Sequence, residues 1–254
     1  MINTYSESSL HKTLKDIYAL KSGCRTEVKQ NGKIYDIVDQ EDNVIEIQTK
    51  NVSKLLKKSM TVLQSGKKIK IVHPVIIEKH IELYGKDGTR ISRRKSPIKG
   101  SLYDIFDELT GLYSVLLDEN FSLDVLEITM TELRIRTTEP VQSPNGRRRY
   151  RKNWNKTDKI LNEILKTHTF CSAENYLKLI PIQCFPEFSA KELSAALKTD
   201  KTLPASAASH AHLMIWVLNK MNLIKLKETK NRSHYYCMAD TMNNTLCSNH
   251  TNPK

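Results

Sequence analysis

No stretch of this 254-residue chain approaches the ~18 consecutive apolar residues of a membrane-crossing helix. Its first twenty residues are polar and carry Glu7, Lys12, Lys15 and Asp16, unlike a secretory leader. Cysteine is sparse and odd in number. Cys24, Cys171, Cys184, Cys237 and Cys247 form no CxxC pair, which argues against a zinc ribbon or a disulfide scaffold. No internal repeat is present. These absences set the expectation of a soluble, cytoplasmic protein with no membrane partner. With 39% hydrophobic residues the chain can bury a core, and wholesale disorder is excluded.

Acidic residues are also short in supply, 28 against 40 basic ones, for a net charge of +12. The excess is uneven: about +2 over residues 1–140 and about +10 over residues 141–254. A near-neutral first part followed by a basic second part suggests two modules, the second facing a polyanion. Nucleic acid, with DNA favoured, is the expected partner. No basic amphipathic helix points to an anionic membrane instead.

The first half alternates in a readable order. Leu10, Leu14, Ile17 and Tyr18 lie at helical spacing behind a Ser8 or Ser9 cap. Strands are expected over 25–30 and 33–38, joined by the hairpin turn Asn31-Gly32. A third strand follows over 44–48, a helix over 52–63, and a strand over 68–73 stopped by Pro74. The order is α-β-β-β-α-β. Beyond it come a β-rich stretch over 75–84, a basic loop from Arg93 to Lys99, an acidic-faced helix over 103–117 and a long strand over 123–136. Residues 140–153, with Pro140, Pro144 and Gly146 among arginines, read as a basic linker. A helix is expected over 154–166 and a short one over 172–179. Ser189 and Glu192 form a capping box that opens a helix to Lys198. A longer helix runs from Pro204 to Met221, then a hairpin over 223–237 and a frayed tail over 241–254.

The turn at residues 40–42 carries the chemistry. Centred on Glu41, it sets Asp36 directly opposite Glu46 and Ile34 opposite Gln48. Alternation places Asp36, Glu46, Gln48 and Lys50 on one face, with Tyr35, Ile37, Ile45 and Ile47 turned into a core. Two like charges opposed across strands destabilise a sheet, and a divalent cation removes that penalty. Asp36 and Glu46 therefore read as ligands for Mg²⁺ or Mn²⁺. The competing reading is a solvated polar face of a hairpin.

Asp36, the run Glu46-Ile47-Gln48 and the element order around them resemble the PD-(D/E)XK nucleases. The closest arrangement is that of archaeal Holliday-junction resolvases, where a glutamate on the first helix precedes the acidic pair; Glu7 matches it. The chain also resembles an uncharacterised prokaryotic family with the same core. The matching residues are Ser9-Leu10-His11, Asp36-Ile37-Val38, Ile45 to Thr49, His73-Pro74 and Arg93 to Pro97, within residues 5–160. The resemblance implies a restriction-endonuclease-like α/β core with a mixed central sheet over residues 1–139. It also implies metal-dependent hydrolysis of phosphodiesters. Glu7 would complete the coordination, and Gln48 or Lys50 would orient the attacking water. Gln48 stands where the superfamily usually has lysine, and glutamine carries no charge. A homodimer is common among such cores, although no heptad or exposed apolar stripe points to one here.

Residues 154–240 resemble a mainly α winged helix-turn-helix domain. Ser206, Ser209 and His210 would lie on its recognition helix, and Lys230 and Arg232 at the wing tip. Phosphate contacts are expected from these residues, from Arg93, Arg94 and Lys95, and from Arg147, Arg148, Arg149, Arg151 and Lys152. Three tempting sets read blandly. His210 and His212 are two apart and make a poor metal pair; Trp216 is at core spacing; Cys237, Cys247 and His250 lack zinc-ligand spacing. The alternatives are a nuclease-like core without turnover that binds DNA or regulates, and a protein-interaction adaptor.

Overall fold

The computed structural model describes residues 8–30, 32–143, 146 and 148–239. Helix α1 (Ser9–Ser22) is capped by the Ser8 side chain, which accepts from His11 N–H, and ends at Gly23 with φ +60°. Strands β1 (Arg25–Gln30), β2 (Lys33–Val38) and β3 (Val44–Ile47) follow at the expected places. A 3₁₀ turn over Val52–Leu55 leads into α2 (Leu56–Gln64). Strand β4 (Ile69–Tyr84) then runs through Pro74 instead of stopping there. The reason lies in the ladder. Val72 turns its backbone toward β3, accepting from Gln48 N–H, so Pro74 two residues on faces the same way. There β3 has already ended, and the missing proline N–H costs no ladder bond.

Strand β5 (Arg90–Lys95) hairpins back on β4, so part of the expected basic loop is a strand. The expected 103–117 helix is shortened to a 3₁₀ turn and α3 (Phe106–Leu109), followed by turns. Strand β6 (Phe121–Val141) and strand β7 (Lys152–Phe170) form a long antiparallel hairpin. This corrects two expectations. Residues 154–166 are strand, not helix, and the two ends of the expected linker, 140–141 and 152–153, are strand as well. The first sheet has the order β1-β2-β3-β4-β6-β7, with β5 on β4; β3, β4 and β6 are mutually parallel and the rest antiparallel.

Beyond β7 come α4 (Ala173–Leu177), β8 (Glu187–Ser189), α5 (Ala190–Thr199), α6 (Ala211–Lys220), β9 (Ile224–Lys230) and β10 (Ser233–Met238). The Ser189–Glu192 capping box is present. The expected helix from Pro204 is divided into a 3₁₀ segment over Ala205–His210 and α6. A second sheet runs β8-β10-β9. The protein is thus mixed α/β, with one large mixed sheet and several helices.

Helix α1 covers one face of the large sheet, packing Leu10, Leu14 and Tyr18 on Ile37, Ile47, Val72, Leu126, Ile128 and Met130. The other face is covered by α2, α3 and the C-terminal elements in one contiguous cluster that runs from Tyr35 to Ile224. Tyr103 OH donates to Leu179 O at 3.1 Å across the join.

Candidate functional site

The β2–β3 ladder pairs Ile37 with Ile45 and Val38 with Val44, the register that places Asp36 opposite Glu46. Beyond Ile37 the carboxylates take over from the ladder. Asp36 N–H donates to Glu46 Oε1 at 3.3 Å, and Ile47 N–H donates to Asp36 Oδ2 at 2.9 Å. Each acid therefore reaches the other's strand. Tyr35 departs from the expected pattern and joins the cluster on the α2 face, away from Ile37 and Ile47.

Two side chains that the spacing did not single out as site residues complete the pair. His11 on α1 places Nε2 2.7 Å from Ile47 O and 3.6 Å from Asp36 Oδ2. Lys58 on α2 places Nζ 2.6 Å from Glu46 Oε1. Burial and the Asp36 charge push Glu46 up to about 7, with Lys58 and the Asp36 N–H offsetting part of that rise. Burial acts the same way on Asp36. There the hydrogen bonds from His11 and Ile47 N–H, with the His11 and Lys58 charges, outweigh it and hold the carboxyl below its ordinary value.

Among the described residues, Asp36 Oδ1 and Glu46 Oε2 have no hydrogen-bond or ion-pair partner. Asp124 makes the contrast. It is buried, as Glu46 is, but Tyr18 OH and Lys70 Nζ reach its Oδ2 and Thr169 OH its Oδ1, so it is a satisfied structural acid. Carboxylate oxygens are the donor type that a hard divalent cation takes. No set of three His, Cys, Asp or Glu groups gathers for a metal among the described residues. Glu7, the expected third acid, lies outside them.

Gln48 turns its amide back onto Lys50 O, and its own carbonyl accepts from His73 Nδ1 at 2.7 Å. Lys50 is exposed and comes near Lys159 on β7, not the acidic pair.

The expected phosphate contacts are dispersed. Arg93 and Lys95 on β5 pair with Glu82 and Glu78, while Arg94 is exposed. Arg148 stacks on Trp154, sharing its ring with Arg134, and Arg149 lies 5.2 Å from the Tyr150 ring centre. Arg151 and Lys152 are exposed; Arg147 lies outside the described residues. Ser206 and Ser209 are exposed, with Ser206 OH donating to Lys99 O at 3.4 Å. His210 is turned inward, 3.8 Å from Asp104 and 3.4 Å from Asp107, and is not presented to a ligand. Lys230 pairs with Glu228. Arg232 lines an open groove of about 710 Å³ between α5, α6 and the β9–β10 hairpin, with Lys191, Lys198, His212, Trp216 and His234. Trp216, expected in the core, is 41% exposed there and meets Tyr113 edge to face. Cys24, Cys171, Cys184 and Cys237 are free thiols; Cys247 and His250 lie outside the described residues.

Fold and site together define a mixed α/β protein with an acidic pair, Glu46 buried and Asp36 half-buried, at the end of its antiparallel hairpin. Residues 8–171 match the family described as "Domain of unknown function (DUF8091)", and the chain belongs to it. The match ends one residue past β7, so the long hairpin is part of the family domain and α4 to β10 lie beyond it. A Treponema pallidum (strain Nichols) protein named "Uncharacterized protein" is 32% identical over 151 residues, 59% of this chain. The chain spans 57% of that relative's length. No solved structure matches the chain. No helix among the described residues is long and apolar enough to cross a membrane.

Proposed function

We propose that the protein is a metal-dependent nuclease that hydrolyses phosphodiester bonds in DNA. The observation that carries this reading is the exchange of carboxylates between β2 and β3, each keeping one oxygen without a partner among the described residues. Asp36 and Glu46 would hold Mg²⁺ or Mn²⁺, which when bound lowers the pKa of a water and offsets phosphate charge. Lys58, at 2.6 Å from Glu46, supplies the ammonium that Gln48 cannot. His11 holds Asp36 in place from α1. The C-terminal order α4-β8-α5-α6-β9-β10, with sheet order β8-β10-β9, supports a winged helix-turn-helix reading. Its DNA-facing surface would be the basic groove around Arg232, Lys191 and Lys198 rather than His210.

Cleavage of plasmid and branched DNA, with Mg²⁺ or Mn²⁺ against EDTA, tests the reading. Asp36→Asn and Glu46→Gln should each lower the metal-dependent rate by at least about 100-fold, the scale of a lost metal-holding or general-base group. Cleavage that survives both changes refutes the assignment. One observation favours a second reading, a nuclease-like core that binds DNA without turnover: Gln48 is occupied by Lys50 O. Tight DNA binding with no cleavage under either metal would select it.

A further inference from the structure

The large sheet carries a second concentration of charge, on its α1 face beyond the start of that helix. Glu132 on β6 is buried, and three cations close on it: Arg134 from its own strand, Lys79 from β4 and Lys156 from β7. Lys79 and Lys156 share the one oxygen Oε2, at 3.6 and 2.7 Å. These partners hold the Glu132 carboxyl down to about 2, although burial alone would raise it. It is therefore an anion at any ordinary pH, already matched by three positive charges.

Lys159 stands directly opposite Glu132 across the β6–β7 ladder, yet no carboxylate among the described residues lies within ion-pair distance of it. It is half-buried. Burial, together with the charges of Lys50, Lys156 and Lys79, lowers its ammonium to about 8, with Glu132 acting against them. Lys79, Lys156 and Arg134 thus contact Glu132, Lys159 stands across the ladder from it, and the Lys50 charge is felt at Lys159. Lys50 reaches this cluster from just beyond Gln48. The next residue on β7, Asp158, accepts from Ser9 N–H at 2.9 Å at the head of the helix that carries His11. The cluster thus lies beside the head of α1 and the chain just past β3, the two elements that carry His11 and Glu46.

Three cations already match Glu132, so Lys159 is left among positive neighbours with no carboxylate at ion-pair distance among the described residues, and a bound anion would favour its charged form. We propose that Lys50, Lys79, Lys156 and Lys159 form a phosphate site that binds a backbone phosphate of a nucleic-acid strand, next to the one placed at Asp36 and Glu46. The proposal rests on the nuclease reading for its choice of ligand. A phosphate brings charge to Lys159 without displacing Glu132, and flexible lysines suit a point-charge contact.

The test is fluorescence anisotropy of the full chain with a labelled duplex and a labelled single strand in EDTA, where nothing is cut. The double variant Lys156→Gln/Lys159→Gln should bind at least about tenfold more weakly. Its log affinity against log salt should flatten by about 1–2, the loss of one or two phosphate contacts. Lys159→Arg, which keeps the charge, should bind within about threefold of wild type and so separates lost charge from lost fold. Lys159 should also be slower to react with an amine-directed reagent when the oligonucleotide is bound. Equal affinity and salt slope in wild type and the double variant would overturn the phosphate site and leave the acidic-pair reading standing. A wild type that binds neither strand would overturn both.

Discussion

Glu46 is a carboxylate whose ionisation is opposed first by burial and then by Asp36. With its pKa raised to about 7 from an ordinary 4.5, the group is neutral below pH 4.5 in both folded and unfolded chains and costs nothing there. Between pH 4.5 and 7 the unfolded chain ionises it and the folded chain resists. Stability therefore falls over that window and stays low above it, by on the order of 1–3 kcal/mol. Urea unfolding of the metal-free protein at pH 5 and pH 8 should show the drop, and Glu46→Gln should remove most of it. Under the proposed metal reading the same proton would compete with a cation. Added Mg²⁺ should raise the stability of the wild type at pH 8 and barely at pH 5, and should do little for Glu46→Gln at either pH. Metal-dependent cleavage should rise through pH 7 for the same reason. A wild type whose stability is flat between pH 5 and pH 8 would contradict this account of Glu46.

Strand β7 shows why a local pattern misleads. Leu161 and Ile164 are three residues apart, a helical spacing, and in a regular strand they would face opposite ways. Both pack on the α1-side core because the β6–β7 register slips once between them, at Thr129/Met130, so that Ile164 pairs with Ile128 and Leu161 with Met130 on one face. The slip re-phases the alternation by one residue, so a bulged strand imitates a helix. Ile160 and Leu165, which a helical stripe would also bury, stay 40% and 48% exposed. Leu161→Ala and Ile164→Ala should cost about 1–3 kcal/mol each, and Ile160→Ala and Leu165→Ala about 0.5 kcal/mol or less, by denaturant unfolding. Equal costs at all four would restore the helix. The elements that were legible, β1 to β3 and the α5 capping box, are set by adjacent turns and caps, whose rules are local. The Asp36–Glu46 register followed from one short turn. His11 and Lys58 did not, because each comes from a helix that only packing on the sheet brings to the pair, and Lys159 did not, because its strand reads as a helix.

Charge asymmetry suggested two modules, but the packing ties the whole chain together. The cluster on the α2 face holds Tyr35 from β2, Phe106 from α3 and Met214 from α6 in one contiguous body. His210 from the C-terminal half lies between Asp104 and Asp107 of the first half, and Tyr103 reaches Leu179. The sheet is shared as well: β6 pairs with β7 from Leu123 to Val141, so a cut at residues 140–153 strips one whole edge from β6. An unpaired strand of that length is an aggregation hazard. The full chain should therefore unfold in one cooperative transition, with far-ultraviolet dichroism and Trp216 fluorescence changing together. A fragment of residues 1–139 should be insoluble or molten, and a fragment starting at 154 should lack a folded core. If each fragment instead gave dispersed amide spectra matching those of the intact protein, the two halves would be independent domains. The acidic pair and the basic groove would then have to be treated as separate machines rather than as parts of one body built on a common core.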